Sequence, residues 1–459
     1  MSSFFGINVA LSALKASQYA MDVTGHNIAN ANTEGYRRQE AIFTANSPSV
    51  GSFGSGATLT RLGTGVTVSE IRRTQTGFLD SQVRMENQLC GMWTAKNQAL
   101  QQVESLLSEP GDNGISAALS RFWDSWQNLA TSPESTAART DVVSSATSLS
   151  DGIRNLYENL RLLQTDLDRN VADSASEINA LVQEIASINN QTVEGRSGDY
   201  QPNDLIDKRD LLVEQLSRLL RIEVHGSGGS NMIISVGGKV LVQGNYSATV
   251  DVALGSNGRT KLVWGDDGTD VAVTGGAVKG YMDTRDSLAE GYVQSLDRIA
   301  QAIVSRVNAI HATGFDKNGN PGGDFFTAGS GAGNISVDAA VLASPSLVAA
   351  SSVAGESGNN RIANDITNIR TELLVDNQTI GESYAGLVAK IGSDARESSV
   401  HNEAHEYSLN NRKTQRDSVA GVSIDEEMTN MIRFQQAYNA AARIFTVMDE
   451  MLTTIINSV

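Results

Sequence analysis

The stretch TGHNIANANTEGYRR, from Thr24 to Arg38, decides how the chain begins its fold, because it ends an amphipathic segment with a cluster of turn-forming residues. Upstream of it, from about Phe4 to Asn30, mostly apolar residues recur in alternating steps of four and three. This spacing predicts one helix with a narrow seam that suits a single partner helix. The predicted seam consists of Ile7, Leu11, Leu14, Gln18, Met21, Gly25 and Ile28. Asparagine side chains bond nearby backbone groups, so the turn is expected to end the helix and redirect the chain.

The last part of the chain, from Ser423 to Ser458, repeats the same spacing. Its predicted contact stripe carries Ile424, Met428, Met431, Gln435, Tyr438, Ala442, Phe445, Leu452 and Ile456, with Phe434 beside them. The methionines suit an irregular partner surface, because their unbranched side chains adapt in shape. Both ends of the chain are therefore predicted to be single-seam helices that pair with each other or with partner molecules.

Between the two ends, apolar steps of three and four predict further helices separated by helix breakers. The longest predicted helix runs from Glu134 to about Glu194, with Ser132 as its N-cap, and would extend roughly 90 Å. The other predicted helices cover residues 74–107, 115–130, 277–313, 361–374 and 381–414. Glycine-broken alternation predicts extended, bulged structure at 38–73 and short strands at 221–274, including the stretch VAVTGG.

The predicted fold class is mainly α with a smaller β part. It is a long helical bundle with terminal coiled-coil helices and an inserted small β-domain. The expected regions are a discontinuous terminal coiled-coil domain (1–60 plus 418–459), an elongated helical bundle (61–220 plus 277–417), a small β-domain (221–276) and a reduced outer insertion (327–360).

Composition narrows the classes of function. The chain has 459 residues and a net charge of −17, so neither nucleic acid nor an anionic membrane is an expected partner. Aromatic residues make up 5%, which favours aliphatic cores over a large enzyme pocket. The single cysteine, Cys90, is expected to be a buried small apolar residue. The N-terminus lacks the basic and uninterrupted apolar regions of a cleavable secretion signal.

Two histidines could bind a metal. His401 and His405 lie four residues apart on a predicted helix, which puts both imidazoles on one face. Glu403 lies midway between them and faces away, whereas the metalloprotease arrangement needs glutamate next to the first histidine. A solvated helix face is therefore expected here, and a secreted metal-dependent hydrolase is the remote alternative.

A second motif invites a calcium interpretation. The loop DKNGNPGGD, from Asp316 to Asp324, offers oxygen ligands, but proline occupies the sixth place and threonine the twelfth place of the helix–loop–helix cation pattern. A tight turn is expected instead. His26 and His311 are expected to lie near helix C-termini, where a positive charge favours the helix dipole. No catalytic, cofactor-binding or metal-binding residue is predicted, and no cofactor.

The two ends of the chain together resemble a known family. FFGINVALSAL followed by TGHNIANANTEGYRRQ resembles the N-terminal signature of the bacterial flagellar axial proteins, which comprise rod, hook and hook-associated subunits. VSIDEEMTNMIRFQQAYNAAARIFTVMDEMLTTIIN resembles their C-terminal signature. TGHNIANANT and the interior stretches ISAALSRFWDSWQNLATSPESTAAR, NDLIDKRDLLVEQLSRLL and GFDKNGNPGGDFF look more like the hook-associated junction members. The residues that match the N-terminal motif, which the resemblance makes structural and subunit-contact residues, are Asn27, Ile28, Asn30, Thr33, Gly35 and Tyr36.

The resemblance implies a structural protein of the extracellular flagellum. Such proteins leave the cell unfolded through the flagellar export apparatus, without signal cleavage, and form a ring on the distal end of the hook. The implied partners are other copies of the chain, the hook protein, the second hook–filament junction protein and an export chaperone on the C-terminal helix. The terminal helices are expected to fold on assembly. Members of the family often carry a larger outer domain where this chain has only residues 327–360.

A neighbouring axial role, as a hook or rod subunit, is the closer alternative. Such a subunit would keep the two end signatures. It would lack the long predicted helix from Glu134 to Glu194 and the motifs that flank it.

Overall fold

A computed structural model describes residues 2–47, 49–52, 59–107, 109, 111–112, 114–195, 202–226 and 232–458. The helices are α1 (Ser2–Ala29), α2 (Gly77–Leu107), α3 (Ile115–Thr131), α4 (Thr136–Gly195), α5 (Asn203–Leu219), α6 (Gly276–Asp283), α7 (Glu290–His311), α8 (Ala339–Ala343), α9 (Arg361–Asn368), α10 (Ile380–Ala420) and α11 (Ile424–Ser458). The strands are β1 (Gln39–Ala45), β2 (Ser49–Ser52), β3 (Leu59–Leu62), β4 (Val66–Arg73), β5 (Glu223–His225), β6 (Ile233–Val236), β7 (Lys239–Gln243), β8 (Tyr246–Ser247), β9 (Val250–Leu254) and β10 (Thr260–Trp264). Among these residues, no helix combines the length and the apolar character that a membrane crossing needs. The predicted fold class is confirmed: long helices dominate, and a small antiparallel β part is inserted between them.

The long helix α4 organises the molecule. It spans 60 residues, or roughly 90 Å at 1.5 Å per residue. Its first half joins α3, α7, α9 and α10 in the main core, and its second half joins α5 and the β part in a second core. The buried positions that the spacing predicted are Ile153, Leu156, Leu160, Leu163, Leu167, Val171, Ile178, Leu181, Ile185 and Ile188.

The predicted start of α4 was wrong by two residues, and so was its N-cap. The helix begins at Thr136, and Ser135 is the residue whose hydroxyl accepts the Ala138 N–H, at 3.2 Å. Ser132 instead ends α3, where its N–H bonds the carbonyls of two preceding residues. A proline between the two serines ends one helix and lets the other start.

The β part consists of an antiparallel sheet in the order β5-β6-β7-β8 and a β9–β10 hairpin. Two asparagine side chains on helices bond extended backbone: Val250 in β9, and Phe326, which forms an isolated bridge with Val337. The Asn179 amide on α4 bonds both the N–H and the carbonyl of Val250, each at 2.8 Å. The Asn308 amide on α7 likewise bonds both the N–H and the carbonyl of Phe326, each at 2.8 Å. The predicted strand in VAVTGG was wrong: only Asp270, just before it, forms a bridge, to Val263.

Near the N-terminus, β1 pairs with β4 and β2 pairs with β3, both antiparallel. The β1–β4 register shifts between Ile42 and Phe43, which is the bulge that the sequence predicted. Residues 277–313, predicted as one helix, are interrupted by a π turn at Thr284–Ala289. Gln164 donates to the Arg285 carbonyl in that turn, at 3.1 Å. A mid-helix carbonyl is therefore bonded by a side chain of α4.

The stretch 327–360 packs onto the main core. Ala332, Ile335 and Val348 in it are fully buried, and it contains the short helix α8. The division of the chain into four regions stays a prediction.

Candidate assembly interface

The helices at the two ends pair with each other. A Cβ on Gly6 would lie 3.0 Å from the Met448 Cε, and one on Gly25 would lie 3.8 Å from the Met431 Cε. These two contacts make α1 and α11 antiparallel. The apolar cluster that joins the pair to the β1–β4 hairpin is small; it contains Ala20, Val23 and Ala41, with Val68, Ile71 and Phe434 against them.

On α1 the predicted seam lies at the edge of the helix contact. Its members Ile7, Leu14, Met21 and Ile28 are half-buried, and Leu11 is 40% exposed. The most buried positions are smaller or polar residues: Ala10, Ala16, Ser17, Ala20, Val23, Thr24 and Asn27. The reason is that α1 is covered from two sides, by α11 and by the β1–β4 hairpin, and close approach from two sides selects small residues.

On α11 the predicted stripe divides in two. Met431, Phe434, Tyr438, Phe445 and Leu452 are half-buried. The outer members Ile424, Met428 and Ile456 are 45%, 54% and 72% exposed. The structure therefore leaves these three uncovered in the single chain.

A further stripe on α11 was missed by the sequence reasoning. Ala437, Ala440, Ile444, Val447 and Met451 follow one another in steps of three and four, and all are exposed. The same spacing that predicted the first stripe could have found this second one. It went unnoticed because two of its members are alanines.

The Asn-rich turn is centred on the buried amide of Asn27. Its Nδ2 donates to the Gln39 carbonyl at 2.8 Å and to Glu427 Oε2 at 2.9 Å. Its Oδ1 accepts from the Gln39 N–H at 3.0 Å and from the Tyr36 hydroxyl at 2.8 Å. One side chain thus joins α1 to the start of β1 and to the first turn of α11. The expectation that asparagines bond nearby backbone groups is confirmed.

The remaining turn residues shape the loop. Asn30 Nδ2 donates to the His26 carbonyl at 3.1 Å, and the Thr33 hydroxyl donates to Asn30 Oδ1 at 3.2 Å. Gly35 has φ +81, in the left-handed region that favours glycine. The Tyr36 hydroxyl accepts from His26 Nδ1 at 3.0 Å, and burial raises the pKa of this tyrosine.

Buried ion pairs fasten this region to the bundle. Arg37 bonds both carboxylate oxygens of Asp80 on α2, at 2.8 and 2.7 Å. Arg73, at the end of β4, bonds Asp207 and Asp210 on α5, each at 2.7 Å. Burial raises the pKa of Asp207 to about 6, although Arg73 pulls it down. These charge-assisted pairs tie Arg37 to α2 and the end of β4 to α5.

A third pair links the two ends of the chain. Arg38 Nε lies 2.9 Å from Glu427 Oε1, and its NH1 lies 3.2 Å from Glu426. Both glutamates are in the first turn of α11, where negative charge suits the helix dipole.

The candidate metal residues have other contacts. The His401 ring stacks on Trp93, with centroids 4.3 Å apart, and His405 Nδ1 lies 2.7 Å from Glu86 Oε1. The expected solvated face is therefore wrong in part, because both histidines pack against α2. Within the described ranges, no three histidine, cysteine, aspartate or glutamate side chains are grouped to hold a metal.

Three other expectations concern single side chains. Asp316 Oδ1 accepts the backbone N–H of Asn318 and Asn320, at 2.7 and 2.8 Å, which confirms the turn. Cys90 is buried, as expected. The expected positive charge on His311 is wrong. Its Nε2 accepts the Ala349 N–H at 2.8 Å, its Nδ1 bonds the Gly323 carbonyl, and burial lowers its pKa.

Comparison with known proteins bears on the whole chain. A family model described as the flagellar hook-associated protein FlgK helical domain matches residues 100–326. Models described as flagella basal body rod protein and as flagellar basal body rod FlgEFG protein C-terminal match residues 7–37 and 414–458. The flagellar hook-associated protein 1 of Bacillus subtilis (strain 168) is 32% identical over 500 residues, covering 99% of this chain and 98% of that protein. The chain belongs to the flagellar hook-associated protein 1 family.

Other relatives carry the same name. The protein of Escherichia coli (strain K12) is 24% identical over 549 residues, covering 98% of this chain and 99% of that protein. The protein of Salmonella typhimurium is 29% identical over 336 residues, covering 71% of this chain and 59% of that protein. A solved structure of the flagellar hook junction protein FlgK from Burkholderia pseudomallei matches with a TM-score of 0.67 at 16% identity, over 74% of this chain and all of that chain. At this identity the structural likeness establishes the shared fold.

Proposed function

We propose that this chain is a structural subunit of the bacterial flagellum that assembles on the distal end of the hook and forms the junction to the filament. The observation that carries the proposal is full-length similarity to flagellar hook-associated protein 1, with the rod-type signatures at both ends of one chain. The match of residues 100–326 to a hook-associated helical domain favours this role over a hook or rod subunit. The work of the molecule is assembly, without catalysis.

The terminal helix pair is the proposed contact region between subunits. On α1 and the turn, the proposed contact residues are Ile7, Leu11, Leu14, Met21, Asn27, Ile28, Asn30, Thr33, Gly35 and Tyr36. On α11 they are Ile424, Met428, Met431, Phe434, Tyr438, Phe445, Leu452 and Ile456, which also form the proposed surface for an export chaperone. Several of these side chains are half-exposed in the single chain. Covering them in an oligomer would remove apolar surface from water, at about 25 cal/mol per Å².

The proposed partners follow from this role. They are other copies of the chain in a ring, the hook protein, the second hook–filament junction protein, the export chaperone and the export apparatus. The proposed location is the extracellular hook–filament junction, reached without removal of a signal peptide. We also propose that the chain is divided into four regions. They are a terminal coiled-coil domain, a helical bundle, a small β-domain and a reduced outer insertion.

Folding of the ends is proposed to be completed on assembly. The pair α1–α11 shares only a small apolar cluster with the β1–β4 hairpin, and ordering each backbone residue opposes folding by about 1–2 kcal/mol. In an isolated subunit, the gain from burying apolar surface at the ends is therefore close to the cost of ordering their backbone. Contacts with neighbouring subunits would make folding of the ends favourable.

The test is electron microscopy of cells that lack this gene, with an assay of flagellin in the medium. Complete hooks without filaments, with flagellin lost to the medium, are expected. If the cells have no hooks, the protein would instead be assigned a role in the rod or hook. Normal filaments in a strain with no second copy of the gene would refute the junction role.

A further inference from the structure

Residues 345–351, which we call the strap, run beside the loop 314–326 on the main core. The Phe315 N–H donates to the Ser351 carbonyl at 2.8 Å, which joins the two segments. The second half of the strap is buried. Its first half is a 3₁₀ turn at Pro345–Leu347. Contacts with the rest of the molecule therefore hold the strap in place, more than regular structure of its own.

Two buried side chains hold neighbouring peptide groups of the strap. Arg139 on α4 is 1% exposed, and its guanidinium donates to the Val348 carbonyl. His311, the last residue of α7, is fully buried, and its Nε2 accepts the Ala349 N–H at 2.8 Å. The strap is thus fastened to two helices at consecutive residues.

The bond from Ala349 exists only while His311 is neutral. A backbone N–H can only donate, so Nε2 must carry a lone pair, and Nδ1 then donates to the Gly323 carbonyl at 2.6 Å. A further proton would add to Nε2, and an imidazolium has two donors and no acceptor. The Ala349 N–H would then face a second donor in a buried site, which is unfavourable.

Arg139 makes a second positive charge at this place costly. Its guanidinium stays charged near neutral pH. It bonds the carbonyls of Val348 and Pro133, and its Nε has no hydrogen-bond partner among the residues that the structure describes. Asp316 attracts it from the loop 314–326, but Oδ1 of that carboxylate is already bound to two N–H groups of its own loop.

The other neighbours do not compensate for this charge. Asp324 favours a proton on His311, but its side chain is exposed, where water screens it. The strap itself has the sequence PSLVAAS and contains no titratable side chain. Burial, and after it Arg139, lower the pKa of His311 against the effects of Asp324 and the Gly323 bond.

From these contacts we infer that Arg139 and His311 together form an acid-released fastening of the strap. In the neutral state both side chains hold it. When a proton adds to Nε2 of His311, the Ala349 bond is lost, two buried cations lie close together, and residues 345–351 come away from α7. This device is independent of the proposed junction role.

The size of the effect follows from the uptake of one proton. With the strap open, His311 has its ordinary pKa of 6.5. The ratio of open to closed strap is therefore nearly constant above pH 7.5 and rises as the pH falls through 6.5. Between pH 7.5 and pH 5 the rise is at most about 30-fold, because only one proton is bound on opening.

Hydrogen exchange of the full-length protein tests this inference. Protection factors of the strap amides, corrected for the intrinsic pH dependence of exchange, should fall by about 10- to 30-fold between pH 7.5 and pH 5. Amides of residues 299–307, earlier in the same helix α7, should keep theirs. A change of less than about twofold in the strap would overturn the inference, and so would an equal fall in both segments.

Two variants separate the histidine from other titrating groups. In His311→Gln the side-chain oxygen can accept the Ala349 N–H but cannot titrate, so protection of the strap should be the same at both pH values. His401→Gln is the matched control, because that histidine stacks on Trp93 instead, and it should keep the full pH dependence. The inference is wrong if His311→Gln loses protection in acid as the natural protein does.

A third variant tests the part played by the arginine. Arg139→Met removes the Val348 bond and the neighbouring charge while it keeps an unbranched side chain. Protection of the strap should be lower at pH 7.5, and its fall on acidification should be smaller, because His311 in the closed state then takes up a proton more easily. An unchanged fall would remove Arg139 from the device. If a variant does not fold, the comparison of the two segments in the natural protein still decides.

Discussion

Replacing Asn27 with aspartate should detach α11 from the turn. The substitution keeps the shape of the side chain and the Oδ1 acceptor of the bonds from Gln39 and Tyr36, but it removes the Nδ2 donor that bonds the Gln39 carbonyl at 2.8 Å and Glu427 Oε2 at 2.9 Å. It also places a second carboxylate against Glu427 in a buried site. One neutral and one charge-assisted hydrogen bond, plus the unpaired buried charge, together come to about 3–5 kcal/mol.

Hydrogen exchange measures this loss. In subunits assembled on isolated hooks, where α11 is expected to be folded, amide protection in α11 should fall by that free energy, while protection in α3 and α7 stays unchanged, because local opening of the ends does not unfold the main core. The deficit should shrink as the pH is lowered from 7 to 5. Two carboxylates in contact share a proton, which raises one of their pKa values in the folded state and favours that state at lower pH.

Two variants control the interpretation. Asn30→Asp makes the same chemical change in the same turn, but Asn30 is half-exposed and bonds only the His26 carbonyl as a donor. Its effect should stay below about 1.5 kcal/mol. Asn27→Asp combined with Glu427→Gln should recover part of the lost protection, because the glutamine amide can donate to the new carboxylate, whereas the Gln39 carbonyl stays without its donor. Equal effects of the two Asn→Asp changes would refute the assignment of Asn27 as the central residue of the turn.

Three further outcomes are expected. The folded-state pKa of Asp207 is about 6 and its ordinary value is 3.8, so the ionised carboxylate opposes folding above pH 6 and not below pH 4. Between pH 7 and pH 4, the free energy of unfolding of the natural protein should therefore rise by about 2–3 kcal/mol relative to that of Asp207→Asn. Chemical unfolding measures this difference, and a difference that does not change with pH would contradict the reasoning. The lowered pKa of His311 has the opposite sign: stability is present above the ordinary value of 6.5 and is lost as the pH falls. Protection factors in the loop 314–326, which are corrected for the intrinsic pH dependence of exchange, should therefore fall in acid, and should lose this pH dependence in His311→Asn. Brief proteolysis of the monomer should remove about fifty residues from the N-terminus and about forty from the C-terminus; ends as resistant as the bundle would exclude folding on assembly.

Spacing along the chain was sufficient to predict the long elements. The positions of α4 from Ile153 to Ile188 that recur at three and four are buried as predicted, because a helix rotates its side chains by a constant amount and one face must meet the core. The same reasoning found the helices at both ends and the turn between α1 and β1. Local signals also explained the Asp316 turn, because its side chain bonds backbone groups only two and four residues away.

Contacts between distant residues decided the rest. Periodicity predicted one seam on each terminal helix, but which side of α11 is covered depends on where α1 and the β1–β4 hairpin lie. His311 is neutral because its ring is buried and its two nitrogens bond the Gly323 carbonyl and the Ala349 N–H. Asp207 is paired with an arginine 134 positions away in the sequence. Helical period depends on residues that are neighbours along the chain, so it is predictable from local spacing. Burial, charge state and the choice of partner depend on which distant segments meet in space, so they are visible only in the folded molecule.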